Sequence, residues 1–209
     1  SGKAVGTRWA YSPWLGDEIG ASLYWGRYTP GYLANEPVFW ISLDGKKTWG
    51  PFEIEAEYVY TQWHGVPKVA RSLARRAINS ESEGEVGDIE TEVEFELANL
   101  ASSKQGYWIA FRYRFWPEFL SNTILGKHFA NPQLIATLRL EQVWFRGLIK
   151  EMAFTSTSLT QFDTQNRLLN RFTFGLTYRP VPLVALQLAY EYTRTNKGQS
   201  LASVTNFLP

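Results

Sequence analysis

The chain has 209 residues, of which 21 are basic and 20 acidic, so its net charge is +1, and it contains no cysteine. That balance excludes the basic surplus of a nucleic-acid binder, and the missing thiols exclude disulfides and cysteine-based metal sites. No apolar run approaches the roughly 18–20 residues of a membrane helix. Yet nine Trp, eleven Tyr and thirteen Phe make 16% of the chain aromatic, and so many rings require a surface or a core that uses them. No secretion signal is visible at Ser1, so the expectation is a leader already removed or a start inside a longer protein.

Period-2 alternation dominates the chain and predicts strands throughout. The first two strands are Lys3–Tyr11 and a run in which Ile19, Ala21, Leu23 and Trp25 stand against Gly20, Ser22, Tyr24 and Gly26. A third lies over Val38–Leu43. In the fourth, 51–63, Phe52, Ile54, Ala56, Tyr58 and Tyr60 oppose Glu53, Glu55, Glu57, Val59 and Thr61. In the fifth, 106–116, Tyr107, Ile109, Phe111, Tyr113 and Phe115 oppose Trp108, Ala110, Arg112 and Arg114. Leu134–Trp144 is a less regular sixth. Phe172, Phe174, Leu176 and Tyr178 mark the seventh, and Val184, Leu186, Leu188, Tyr190 and Tyr192 the eighth.

Runs of about ten residues match a tilted transmembrane strand better than a soluble one. The apolar faces tend to end in aromatic residues, as membrane–water girdles require. The alternative is a soluble sandwich or lipocalin-like barrel with the apolar face inward. Strand length, aromatic ends and charged opposite faces together favour an all-β, transmembrane, antiparallel up-and-down β-barrel. Phe52, Ile54, Phe111, Phe172, Phe174, Leu186 and Leu188 are then expected to face lipid. Glu55, Arg112, Arg114, Arg139, Thr173 and Gln187 are expected to face inward.

Gly, Pro and Asp mark tight connections at Ser12–Glu18, Asp44–Gly50 and Arg179–Pro182. The longer ones are Arg27–Pro37, Phe145–Asn166 and Thr193 onward, assigned to the outside. Strand direction then requires 51–63 and 106–116 to be antiparallel neighbours. Residues 64–105 become one large extracellular insertion, with 89–97 a strand inside it; the rival reading has 89–97 spanning. Eight spanning strands remain, and the tail after Thr193 argues that the chain is part of a larger barrel, since open edges are not viable in lipid.

Several segments resemble known ones. KAVGTRWAYSPWLGDEIGASLYWG and VFWISLDGKKTWGPFEIEAEYVYT resemble hairpins of Gram-negative outer-membrane porins of the phosphate-selective-porin-like kind. GYWIAFRYRFWP, PQLIATLRLEQVWF and NRFTFGLTYRPVPLVALQLAYEYT are similar to strands near the C-terminus of that family. Residues 1–209 read as one barrel, and the resemblance covers most of the chain except 64–105. It implies a barrel of about sixteen strands, often a homotrimer, of which this chain is the C-terminal half. The closing strand with its terminal aromatic, usual in the family, is lacking.

The functional expectation is a water-filled channel for passive diffusion of ions or small solutes, in the bacterial outer membrane, without catalysis, cofactor or metal. Glu53, Glu55, Glu57, Arg112, Arg114, Arg139, Glu141, Arg171 and Glu191 fall on polar faces and are the candidate pore-lining residues. If 51–63 and 106–116 are neighbours, the Glu row faces Arg112 and Arg114. That opposition either sets a transverse field on passing ions or satisfies itself as cross-strand pairs in the wall. Lys68, Arg71, Arg75 and Arg76 form a basic cluster at helical spacing, which suits lipopolysaccharide phosphates or a solvated loop face. Glu81, Glu83, Glu85 and Asp88 follow, but their spacing fits no defined calcium loop. A docking barrel of an envelope complex that conducts nothing is the main alternative. A lipid-acting enzyme is the lesser one, since His64 and His128 both lie in connections with no visible nucleophile.

Overall fold

The structure is a computed structural model that describes residues 3–29, 35–72, 101–155 and 158–196, with side chains described except at 150–162. Eight strands form one antiparallel sheet in sequence order: β1 (Ala4–Tyr11), β2 (Glu18–Arg27), β3 (Pro37–Trp49), β4 (Phe52–Trp63), β5 (Ala101–Phe115), β6 (Gln133–Thr155), β7 (Ser158–Val181) and β8 (Val184–Thr195). β1 and β8 are its two edges. Every residue of β1 is exposed.

The register keeps the side-chain alternation in phase from edge to edge. Leu23 pairs with Ile41, Ile41 with Tyr60, Ile54 with Phe111, Phe111 with Leu138, Leu138 with Phe174, and Phe174 with Tyr190. Because a one-residue slip turns every side chain over, this phasing is what merges eight amphipathic strands into one apolar face and one polar face. Among the described residues, nothing packs on the apolar face. Leu140, Phe174, Leu188 and Tyr190 on it are 49%, 50%, 76% and 65% exposed, whereas a soluble sandwich would bury such a face. Of the residues expected on this face, Phe111, Phe172, Phe174, Leu186 and Leu188 are exposed, while Phe52 and Ile54 are half-buried among neighbouring rings.

Rings collect at the two ends of the apolar face. Toward the short turns, Trp49, Phe52, Tyr113 and Phe115 stack in a row across β3, β4 and β5, with centroids 4.9–6.0 Å apart. Toward the other end, Tyr107 lies 5.7 Å from Trp144, beside Tyr58 and Tyr60. Between them are Ile54, Ala56, Ile109, Leu138 and Leu140. From Phe52 to Tyr60 the strand rises about 26 Å, or about 20 Å of height at a tilt of about 40°.

β4 and β5 are direct antiparallel neighbours, Phe52–Gln62 pairing with Ser103–Tyr113. β5 already begins at Ala101, inside the expected 64–105 insertion, and Ala101 pairs with Leu148. Residues 66–72 are helical, launched from Gly65; Lys68 and Arg71 lie here, and Lys68 pairs with Glu36 at 3.2 Å. The rest of the basic cluster, the acidic run 81–88 and the expected strand 89–97 lie outside the described residues.

Three connections differ from expectation. Asp44–Trp49 is strand, and the turn is Gly50–Pro51 alone. Gly50, at φ 57°, takes the left-handed position that a two-residue hairpin needs first, and Pro51 follows with its fixed negative φ. Lys46 and Asp44 look like turn residues, but each has a charged partner on another strand, Glu53 at 3.3 Å and Arg8 at 2.7 Å, that keeps it in the ladder. The segment Phe145–Asn166 is a continuation of the β6–β7 hairpin to Thr155 and Ser158, with register shifts after Phe145, Ile149 and Ala153. Gly147, at φ 61°, supplies the first irregularity. β7 likewise runs on to Val181, leaving Pro182 and Leu183 as the turn.

The β1–β2 turn is tied to the end of β3. Asp17 accepts the Thr48 backbone N–H and the Lys47 ammonium, both at 2.9 Å. Lys47 also lies 5.3 Å from the Trp14 ring centroid.

Candidate functional site

The polar face carries the charge, and alternation explains why. Arg8, Ser22 and Asp44 share that face across β1, β2 and β3, so Arg8 reaches two strands over to make a bidentate pair with Asp44 at 2.7 and 2.8 Å and a second with Glu18 at 3.0 Å.

The next cluster centres on Glu53, whose side chain is 5% exposed. It receives Arg112 at 2.6 Å, Arg114 at 2.6 Å and Lys46 at 3.3 Å, while Arg112 also holds Glu55 at 2.7 Å. Glu53 and Arg112 are paired residues in the ladder, which puts a short acid directly opposite a long cation. The opposition expected from the sequence is therefore realised as contact within the sheet, between adjacent strands. Glu57 takes no part in it and accepts the Trp108 indole N–H at 3.0 Å.

A third cluster lies on β6 and β7. Glu141 sits between Arg139, with Nε 2.5 Å from Oε1, and Arg171, at 3.6 Å. The Arg139 N–H is not aimed along that contact, so the pair is ionic rather than a hydrogen bond. The Arg139 guanidinium carbon also lies over Trp108, 4.3 Å from the ring centroid. Glu191 is exposed on β8, opposite Thr173.

Of the nine candidate residues, the structure brings Glu53, Glu55, Arg112 and Arg114 into one network and Arg139, Glu141 and Arg171 into another. Glu57 bridges toward the second through Trp108, and Glu191 stands apart. Sequence reading missed Lys46, because its segment looked like a turn.

It also missed a cavity. Above the second network the polar face holds a hollow of about 320 Å³, built from β4, β5, β6 and β7. Trp63, Trp108, Val143, Phe145 and Leu169 supply apolar wall, and Lys104 lies 5.2 Å from the Trp63 centroid and 6.0 Å from that of Phe145. Three of these residues, Lys104, Phe145 and Leu169, fall at the ends of strands that run further than alternation alone showed. His64 and His128 are both exposed.

Among the described groups outside the strands, two titrate away from their ordinary range. The Thr48 amide, then the Lys47 ammonium, hold the Asp17 carboxyl below the usual carboxylate value. Burial, with a smaller push from Glu36, raises the Tyr28 phenol to about 12. Comparison with protein-family models, with curated proteins and with solved structures returns no match, so the functional reading rests on the residues and their arrangement.

Proposed function

We propose that the chain is part of an outer-membrane β-barrel of the porin type, and that its polar face lines a water-filled path for ions or small solutes. The observation that carries this reading is the pairing of one exposed, largely apolar face with an opposite face that holds three charge networks. In water such an apolar face is an association hazard. In a bilayer it is the required outer wall, and the charges must then face inward, because Arg or Lys turned to lipid at mid-depth costs roughly 2–4 kcal/mol. The two ring-bearing ends, about 20 Å apart in height, suit the two girdles of an apolar band of about 25 Å.

The larger barrel, with strands beyond β1 and β8, is part of the same proposal: an unpaired strand edge in hydrocarbon leaves backbone groups unsatisfied, at several kcal/mol per group. Single-channel recording of the purified protein in a planar bilayer tests the conduction directly. Steps with an ion-dependent reversal potential are expected. In the double variant Arg112→Gln with Arg114→Gln, two positive charges leave the wall, so the reversal potential should move toward cation preference. No conductance in the parent protein would overturn the pore reading and leave the non-conducting docking barrel.

A further inference from the structure

Four connections lie at the end of the sheet that carries Gly50–Pro51, and three of them present large apolar side chains to solvent: Trp14 and Leu15 between β1 and β2, Phe119 and Ile124 between β5 and β6, and Leu183 between β7 and β8. Singly, such residues call for no account. The β5–β6 connection, 116–132, differs because of how it is built and where it is held.

It is ordered by its own backbone. Leu120, Ser121, Thr123, Gly126, Lys127 and Phe129 each donate an N–H to a carbonyl three or four residues earlier, so these amides do not depend on water. Gly126 is buried so closely under Leu120 that an added Cβ would meet the Leu120 carbonyl oxygen at 2.5 Å. Two ties then fix which side of the sheet the segment lies on. Tyr178 stands on the apolar face, in the row of Leu134 and Leu186, and its hydroxyl donates to the Leu125 carbonyl. The Trp116 ring stacks on the same Tyr178 at 6.1 Å, while its indole N–H donates to Ser121 at 3.0 Å. The connection is therefore folded over the end of the apolar face, and Phe119 and Ile124 remain 76% and 82% exposed there. The β1–β2 turn leans the same way: Trp14 lies by Lys47, which pairs with Ile54 and shares the parity of the apolar face.

The surface so made is continuous with the row of rings that ends the apolar face, since Phe115 of that row immediately precedes Trp116. A lipid boundary suits both halves of the segment. Rings and aliphatic side chains sit among the upper acyl chains, while Asn122, Lys127 and His128, all exposed, stay in the hydrated headgroup layer.

We propose that the β5–β6 connection is an interfacial anchor, with Phe119 and Ile124 entering the headgroup–acyl boundary of the leaflet on the short-turn side. It rests on the membrane reading of the apolar face and extends that reading to a segment that does not span.

The chain has no cysteine, so single labels can be placed without background. Phe119→Cys, Ile124→Cys and, on the apolar face of β8, Leu188→Cys are each labelled with a nitrobenzoxadiazole fluorophore. The full chain is refolded into phosphatidylcholine vesicles in which part of the lipid carries a nitroxide, either near the headgroup or near the chain end. At 119 and 124 the shallow nitroxide is expected to quench more than the deep one, and aqueous iodide to quench little. Iodide quenching at 119 and 124 without lipid quenching would overturn the anchor. So would self-quenching at 124 that vanishes on dilution with unlabelled protein, which would put a second copy there instead. The label at 188 separates the two readings: lipid quenching at 188 alone keeps the membrane-facing sheet and defeats the anchor, whereas lipid quenching at 119 and 124 alone keeps the anchor and defeats the spanning sheet.

Discussion

Glu53 is the residue whose loss the fold should feel most among the charged positions. Its carboxylate is almost fully withdrawn from water and meets three cations, yet those cations keep much of their own hydration, with side chains 30% (Arg112), 42% (Arg114) and 41% (Lys46) exposed. Breaking a fully buried pair costs roughly 3–5 kcal/mol, while hydrogen bonds to charged groups contribute about 1.5–3 kcal/mol. Glu53→Gln keeps the volume and one acceptor, and Arg112 retains Glu55, so the expected loss is about 2–3 kcal/mol. Arg114→Gln gives up a single contact from a side chain that water can reach, and should cost about 1 kcal/mol or less. The assay is reversible urea unfolding in lipid vesicles, followed by tryptophan fluorescence, for both single variants, Arg112→Gln, and Glu53→Gln with Arg112→Gln. Because those two residues share a network, the double variant should lose less than the sum of its singles. A Glu53→Gln protein within about 0.5 kcal/mol of the parent, or one more stable than Arg114→Gln, would refute the assignment of Glu53 as the hub.

Facing is tested by neighbours: Phe174→Arg should impair insertion into vesicles by roughly 2–4 kcal/mol, whereas Thr173→Arg, turned to the other face beside Glu191, should fold at nearly the parent yield. Similar yields for the two would remove the lipid-facing assignment. The carboxyl of Asp17 is depressed, so its contribution is complete above the unfolded value of about 4 and disappears as pH falls through the lower folded value. Hydrogen exchange at the Thr48 amide should therefore stay protected down to about pH 4 and become fast below it, beyond the ordinary pH trend, and Asp17→Asn should abolish that acid step. Gly50→Val should disrupt the β3–β4 hairpin by more than about 1 kcal/mol, since a β-branched residue is strained at φ 57°, a loss readable as a lower unfolding midpoint.

The sequence made the strand faces legible wherever alternation ran without interruption, as in Phe52–Tyr60 and Tyr107–Phe115, and direction counting alone paired those two strands. It misled where composition mimics a loop. Asp44, Gly45 and the two lysines after them have turn chemistry, but ion pairs of Asp44 with Arg8, Lys46 with Glu53 and Lys47 with Asp17 outweigh it. The β6–β7 extension was hidden for another reason: each register shift after Phe145 breaks the period that the eye follows. These two errors also concealed part of the candidate site. Lys46 belongs to the Glu53 network and Phe145 to the cavity wall, yet both lay in stretches read as connections, and Leu169 lay between the connection and the strand read from Phe172. The charged rows were visible because charge on alternate positions is a one-dimensional signal. The cavity was not, because it takes four strands in register to make one.

Strand order has a bearing on how the sheet comes into being. Each of the seven pairings joins consecutive strands, so no strand has to wait for a later one before its ladder with its predecessor can close. Loop-closure entropy is therefore small at the tight turns, where two residues separate β3 from β4 and β7 from β8, and larger at His64–Leu100. Growth can proceed as a zipper from hairpin nuclei, with the 64–100 closure as its one slow stitch. Shortening that segment to a tight turn should accelerate refolding while leaving the register of all eight strands as it is.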